Sequence, residues 1–179
     1  MKIAIITEAW EPQVSGVVTT YRHIKKELER EGHEVKIVHP NSFLINTSIP
    51  TYKEIRTAWP LPYGMTRQLA EFKPDHIHIA TEGPLGWYAA LFYCKKHGIK
   101  FTTAYHTNFA DYIDKRLTFL PGFLKKEFHR VSTAAIARFH NMGAGVMTVS
   151  PEIDRQMREM GVTVPLEHYD FKFDHIPHF

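Results

Sequence analysis

Short apolar runs of strand length alternate with helix-period segments along most of this chain, and that alternation limits the fold more than any other feature. Residues 2–7, 34–39, 75–80, 101–105 and 146–149 read as strands. Helices are expected over about 17–31, 64–72, 84–98, 121–141 and 151–161, with Pro84 and Pro151 suited to a first turn and Gly32, Gly98 and Gly161 to helix ends. Between residues 41 and 63 the pattern breaks, and residues 43–45 and 52–58 read as two short strands separated by Pro50. Strands that each feed a helix bury their apolar runs together as a parallel sheet with right-handed crossovers. The expected fold class is therefore α/β: a Rossmann-like, doubly wound, mainly parallel sheet flanked by helices.

In such a sheet the ligand crevice lies beyond the carboxyl ends of the strands, where the strand order reverses. Three loops then matter most: residues 8–16, 81–84 and 106–109. If their strands are neighbours, ~5 Å apart per step, their side chains share one crevice. The first loop carries a single glycine before a helix, in the stretch TEAWEPQVSGVVTTYRHI. Ser15 or Gly16 would cap that helix and leave the first N–H groups, near Val17 and Val18, without intrahelical partners, a natural complement to an anion. A tight turn with no ligand is the alternative. Neither G-x-G-x-x-G nor G-x-x-x-x-G-K-[ST] occurs in the chain, so neither the dinucleotide fingerprint nor the P-loop applies.

At 179 residues the chain fits one domain with a proper core. Its net charge of +3 is spread along the sequence, a mild bias toward anionic partners and no case for nucleic acid. Cys94 is the single cysteine, which excludes an intrachain disulfide; among Leu91, Phe92 and Tyr93 it reads as a small buried side chain. No apolar run approaches the ~20 residues of a membrane span, and the amino-terminal run is too short for a signal peptide. The cytoplasm is the expected compartment, with a peripheral membrane position as the alternative.

The pieces EAWEPQVSGVVTTYRHIKKELEREGHEVKIVHP, HIATEGPLGWYAALFYCKKHGI, TAYHTNFADY and VMTVSPEI, in this order and spacing, resemble the amino-terminal half of the retaining, nucleotide-sugar-dependent glycosyltransferases of family 4. The resemblance covers about residues 1–161, a Rossmann-like domain, and leaves 162–179 as an atypical tail rich in histidine and aromatics. It implies one half of a GT-B fold, the acceptor side, with a nucleotide-sugar as co-substrate and no further cofactor. Gly16 matches the glycine whose backbone approaches the donor diphosphate, and the helix amino-terminal N–H groups of Gly16 and Val17 are the expected phosphate donors. His106 matches the family histidine beside the transferred sugar. Glu82, Asn108 and Tyr112 fall where this half shapes the pocket for a carbohydrate or lipid-linked acceptor.

The second, donor-binding domain of the family is not found in these residues, so catalysis is expected to need a second domain, a separately encoded donor-domain chain or self-association. A literal E-x7-E at Glu159 and Glu167 is interrupted by Gly161 and Pro165 and reads as accidental. A non-catalytic acceptor-binding module, or an inactive truncated remnant, is the alternative from a different class.

Each assignment also has a plainer reading. Glu82 and Asn108 are of the types that sit well at helix amino termini, and His106 could be an ordinary hydrogen-bonded loop histidine. His76 and His78 face the same way on one strand, and His168, His175 and His178 crowd the tail, but packing suits them as well as metal, so no metal site is expected. No G-x-S-x-G elbow supports a hydrolase. Phe119, Leu120, Phe123 and Leu124 beside Lys125, Lys126 and Arg130 could lie on an anionic membrane; the alternative is a helix with its apolar side in the core and a solvated basic face.

Overall fold

The computed structural model of the chain describes residues 1–42, 46–49, 52–58, 62–106 and 121–168. The chain folds as β1 (Lys2–Ile6), α1 (Gly16–Arg30), β2 (Glu34–Val38), an antiparallel pair β3 (Asn46–Ile49) and β4 (Tyr52–Ala58), α2 (Pro62–Phe72) and β5 (His76–Ile79). There follow α3 (Pro84–Tyr88), which runs on as a π-helical stretch (Ala89–Cys94) into α4 (Lys95–His97), then β6 (Phe101–Ala104), α5 (Gly122–Asn141), β7 (Val146–Thr148), α6 (Pro151–Glu159) and β8 (Leu166–His168).

Six strands form one parallel sheet in the order β2-β1-β5-β6-β7-β8. The chain first steps one way from β1 to β2, then returns to the other side of β1 and steps outward from β5 to β8. The order therefore reverses between β1 and β5, and β1, β5 and β6 are consecutive neighbours. Residues 43–45, expected to be strand, lie outside the described residues, and the small sheet instead pairs β3 with β4.

Side-chain alternation along the central strands sorts the core. Ala4 and Ile6 of β1 and Ile77 and Ile79 of β5 face a cluster that includes Met65 and Leu69 of α2, Leu85 of α3 and Phe139 of α5. Ile3 and Ile5 face the other way, onto Tyr21, Val17, Ile24 and Leu28 of α1. A third cluster joins Tyr105, Ile136 and Val146 to Met157 of α6 and Val162. Cys94 is buried in the first cluster, and burial pushes its thiol up to about 12, so it is a packing residue.

The helix ends follow local chemistry. Ser15 is the cap of α1, its Oγ accepting from Val18 N at 3.3 Å, so Gly16 is the first helical residue. Gly32 (φ 84°) and Gly98 (φ 65°) take the left-handed conformation just after their helices. Only the last third of α5 reaches the core, through Ile136, Ala137, Phe139 and His140; Phe123, Leu124, Phe128 and Val131 are exposed. That departs from a helix with its apolar side wholly in the core.

The sheet continues past Gly161, since β8 pairs with β7 from Leu166 to His168. Glu159 ends α6 whereas Glu167 lies on β8, so the E-x7-E pair shares no helix. Among the described residues no helix is long and apolar enough to cross a membrane.

Candidate functional site

The crevice expected at the reversal point lies at the carboxyl ends of β1, β5 and β6, where the described residues are the loops after β1 and β5 and, after β6, Tyr105 and His106. The loop after β1 turns sharply because the Thr7 hydroxyl bonds its own neighbourhood, donating to Ala9 O at 3.0 Å and accepting from Ala9 N at 3.1 Å. Glu8 is thereby aimed across to the β5 loop. Its backbone N–H donates to Thr81 Oγ1 at 3.0 Å, and its carboxylate accepts from the Thr81 hydroxyl and from Leu85 N (2.6 Å). Desolvation raises the Glu8 pKa from 4.5 to about 7, with the bonds from Thr81, Leu85 and Gly86 pulling it back down.

Glu8 thus fills the amino terminus of α3 with a carboxyl group from the chain itself. The packing leaves no room for a Cβ at either glycine of this turn, against a side-chain end at Gly83 and against backbone at Gly86. A Cβ on Gly83 would overlap the Glu8 carboxylate, and one on Gly86 would overlap Thr81 O and lie 2.9 Å from Ile79 Cγ2. The amino terminus of α6 carries its own acids, Glu152 and Asp154, in its first turn. The amino terminus of α1 differs from both: its first turn has no acid, and among the described residues Gly16 N–H and Val17 N–H have no partner. Among the described residues nothing stands within 4 Å of a Cβ built on Gly16.

His106 follows β6 into the same crevice. Its Nε2 is 3.0 Å from Tyr21 Oη, and the two rings meet edge to face at 5.4 Å. Tyr21 is fully buried beneath α1, and its hydroxyl also lies 2.7 Å from His78 Nε2. Burial lowers the His106 pKa below the usual imidazole value, and the nearby Glu82 carboxylate raises it in part. Glu82 itself, 27% exposed, bonds His140 Nε2 at 3.2 Å through Oε1. His140 is wholly buried, with Nδ1 2.7 Å from Thr103 Oγ1.

The structure makes Glu82 and His106 neighbours, the Glu82 carboxylate raising the His106 pKa, and joins His106 to Tyr21 of α1, the helix that Gly16 and Val17 open. Asn108 and Tyr112 lie outside the described residues. His76 and His78 do point the same way, but the Thr102 hydroxyl engages both, at 2.9 Å from His76 Nε2 and 2.8 Å from His78 Nδ1. Among the described residues no three His, Cys, Asp or Glu side chains are grouped to hold a metal.

Sequence reasoning missed the residues that hold these groups from beneath: Tyr21, His78, Thr102, Thr103 and His140, and Glu8 as the filler of α3. Tyr21 was legible only as one apolar position of a helix. His78 carried a signal, a titratable residue alternating with isoleucine on a buried strand, but nothing in the sequence says that Tyr21 and Thr102 receive it.

Comparison with known proteins follows the same outline. The family model described as Glycosyltransferase Family 4 matches residues 14–167. An Alpha-monoglucosyldiacylglycerol synthase of Streptococcus pneumoniae is 31% identical over 63% of this chain and 28% of its own. One from Acholeplasma laidlawii is 30% identical over 84% of this chain and 40% of its own. A GDP-mannose-dependent alpha-mannosyltransferase of Mycobacterium tuberculosis is 27% identical over 60% of this chain and 32% of its own. The chain spans between 28% and 40% of the length of these curated relatives.

Proposed function

Because the chain belongs to glycosyltransferase family 4, we propose that it is the acceptor side of an enzyme that moves a sugar from a nucleotide-sugar to an acceptor hydroxyl with retention. What supports this reading is that α1, whose first turn carries no acid at Gly16 and Val17, also supplies the Tyr21 that bonds His106, with Glu82 beside His106 near the reversal point of the sheet. In the transfer, the bond between the anomeric carbon and the diphosphate oxygen breaks, and negative charge grows on the departing diphosphate. The Gly16 and Val17 N–H groups, with the α1 dipole behind them, stabilise that charge. His106 lies beside the transferred sugar, and its lowered pKa makes it a neutral hydrogen-bonding group at physiological pH. Glu82, held by His140, faces the acceptor, and the family resemblance assigns Asn108 and Tyr112 to the same pocket. A second domain or chain supplies the rest of the donor site.

Binding tests this directly. Amide spectra of the chain titrated with UDP-glucose and with GDP-mannose should show Gly16 and Val17 among the resonances that move most, and Gly16→Leu should abolish the response. Large shifts confined to residues away from the three crevice loops would sink the proposal.

The acceptor is a carbohydrate or a lipid-linked hydroxyl. The lipid reading draws on the names of the two synthases and on α5, whose exposed Phe123, Leu124 and Phe128 flank Lys125 and Lys126. An apolar strip bordered by lysines suits the surface of an anionic bilayer.

A further inference from the structure

Five side chains from three elements and one loop form a continuous hydrogen-bonded chain along the α1 face of the sheet. From the amino-terminal end of β5 the links are His76 Nε2 to Thr102 Oγ1 (2.9 Å), Thr102 Oγ1 to His78 Nδ1 (2.8 Å), His78 Nε2 to Tyr21 Oη (2.7 Å) and Tyr21 Oη to His106 Nε2 (3.0 Å). Each link needs one proton between its two heavy atoms. Thr102 and Tyr21 own one hydroxyl proton each, and a neutral His78 owns one ring proton. His78 is 6% exposed, and burial pushes its pKa down to about 3, so it is neutral at physiological pH.

Proton counting then ties the two ends together. Suppose His76 Nε2 carries a proton and donates to Thr102. The Thr102 hydroxyl donates to His78 Nδ1, His78 Nε2 donates to Tyr21, and the Tyr21 proton is turned toward His106 Nε2. With a bare His76 Nε2 every link reverses. Thr102 donates to His76, His78 Nδ1 donates to Thr102, and Tyr21 donates to His78. Whatever else its hydroxyl touches, Tyr21 then has no second proton to give, so His106 Nε2 must supply the last one.

We propose that His76, Thr102, His78 and Tyr21 are positioning residues that select which ring nitrogen of His106 carries its proton, the resting state holding it on Nδ1. That choice follows from counting: a neutral imidazole intrinsically favours Nε2–H, and the first arrangement gives that form to both His76 and His78, the reversed one to His106 alone. His106 then offers an N–H donor on the side of its ring turned away from Tyr21. In the reversed arrangement the same nitrogen accepts. The use of that donor in sugar transfer rests on the reading of His106 given above, whereas the tautomer does not.

The test reads the tautomer and needs no activity. In the chain labelled with 15N-histidine, long-range 1H–15N imidazole spectra at neutral pH should show His106 protonated on Nδ1 and bare on Nε2. Thr102→Val cuts the chain while keeping the side-chain shape, and should move His106 from one dominant tautomer to comparable amounts of both; Thr102→Ser should restore the original pattern. If Thr102→Val does not fold, His76→Phe removes the head of the chain at its half-buried end and carries the same expectation. A wild-type His106 protonated on Nε2, or a pattern untouched by whichever of the two cuts folds, overturns the proposal while leaving the transferase reading standing. Absence of nucleotide-sugar binding would do the reverse.

Discussion

His140 Nε2 lies 3.2 Å from Glu82 Oε1, which joins the buried end of α5 to the crevice loop after β5 across 58 residues. The other ring nitrogen reaches Thr103 Oγ1, so the wholly buried imidazole has both nitrogens engaged while it holds the carboxylate at the mouth of the site. Thr102 and Thr103, adjacent in β6, thus anchor two chains on opposite faces of the sheet, one ending at His106 and the other at Glu82.

Removing His140 should cost more than its exposed neighbours on α5. His140→Ala leaves a cavity and removes the nearer partner of Thr103 Oγ1 and the partner of Glu82, and urea unfolding should show a loss of about 3 kcal/mol. Glu82→Gln, at a part-exposed position where an amide can still pair, should cost less than about 1.5 kcal/mol.

The three crevice glycines should separate by role. Gly86→Ala forces a methyl against the Thr81 carbonyl and should lower stability by roughly 2–4 kcal/mol. Gly83→Ala displaces the Glu8 carboxylate, so its cost should shrink in a Glu8→Ala background, a coupling that a double-mutant cycle measures. Gly16→Ala meets no described residue and should leave the melting temperature near that of the wild type.

Glu8 should give the protein an alkaline weakness. Its folded pKa of about 7 stands above the 4.5 of the unfolded chain, so folding favours the protonated acid. That contribution is whole below about pH 4.5 and is lost as the pH rises through about 7. Glu8→Gln keeps a neutral acceptor for Leu85 N. Relative to the variant, the wild type should lose up to about 3 kcal/mol between pH 5 and pH 8; parallel stability curves for the two proteins would refute the shift.

His78 should act in the opposite direction. Its pKa falls from 6.5 to about 3 on folding because burial excludes the charged ring, so the unfolded chain takes the extra proton. Stability should decline as the pH drops below about 6.5 and keep declining toward about 3, by at most ~1.4 kcal/mol per pH unit from this one group. His78→Gln removes the titration, and its acid limb should be measurably shallower in denaturant midpoints taken across that range.

The outward strip of α5 should matter to membranes and not to folding. Phe123→Ser with Phe128→Ser, at positions 73% and 45% exposed, should shift stability by less than about 0.5 kcal/mol. The same pair, or Lys125→Glu with Lys126→Glu, should abolish retention on vesicles rich in phosphatidylglycerol. Equal retention of wild type and variants would remove the membrane reading.

The sequence by itself determined the parallel sheet, because each strand run needs a helix to return the chain, and it placed three loops at one edge. Ser15, Gly32 and Gly98 were legible as punctuation since capping and left-handed φ are local properties. Only the tertiary structure decided which groups answer one another across that edge. Glu8 filling α3, Tyr21 bridging two histidines and His140 holding Glu82 are contacts between residues 57 to 85 positions apart. Nothing in the period of a strand or helix encodes the partner of a polar side chain. That partner is chosen by strand order and register, which put β1 beside β5 and β5 beside β6, and by burial, which penalises an enclosed nitrogen or oxygen left without a bond.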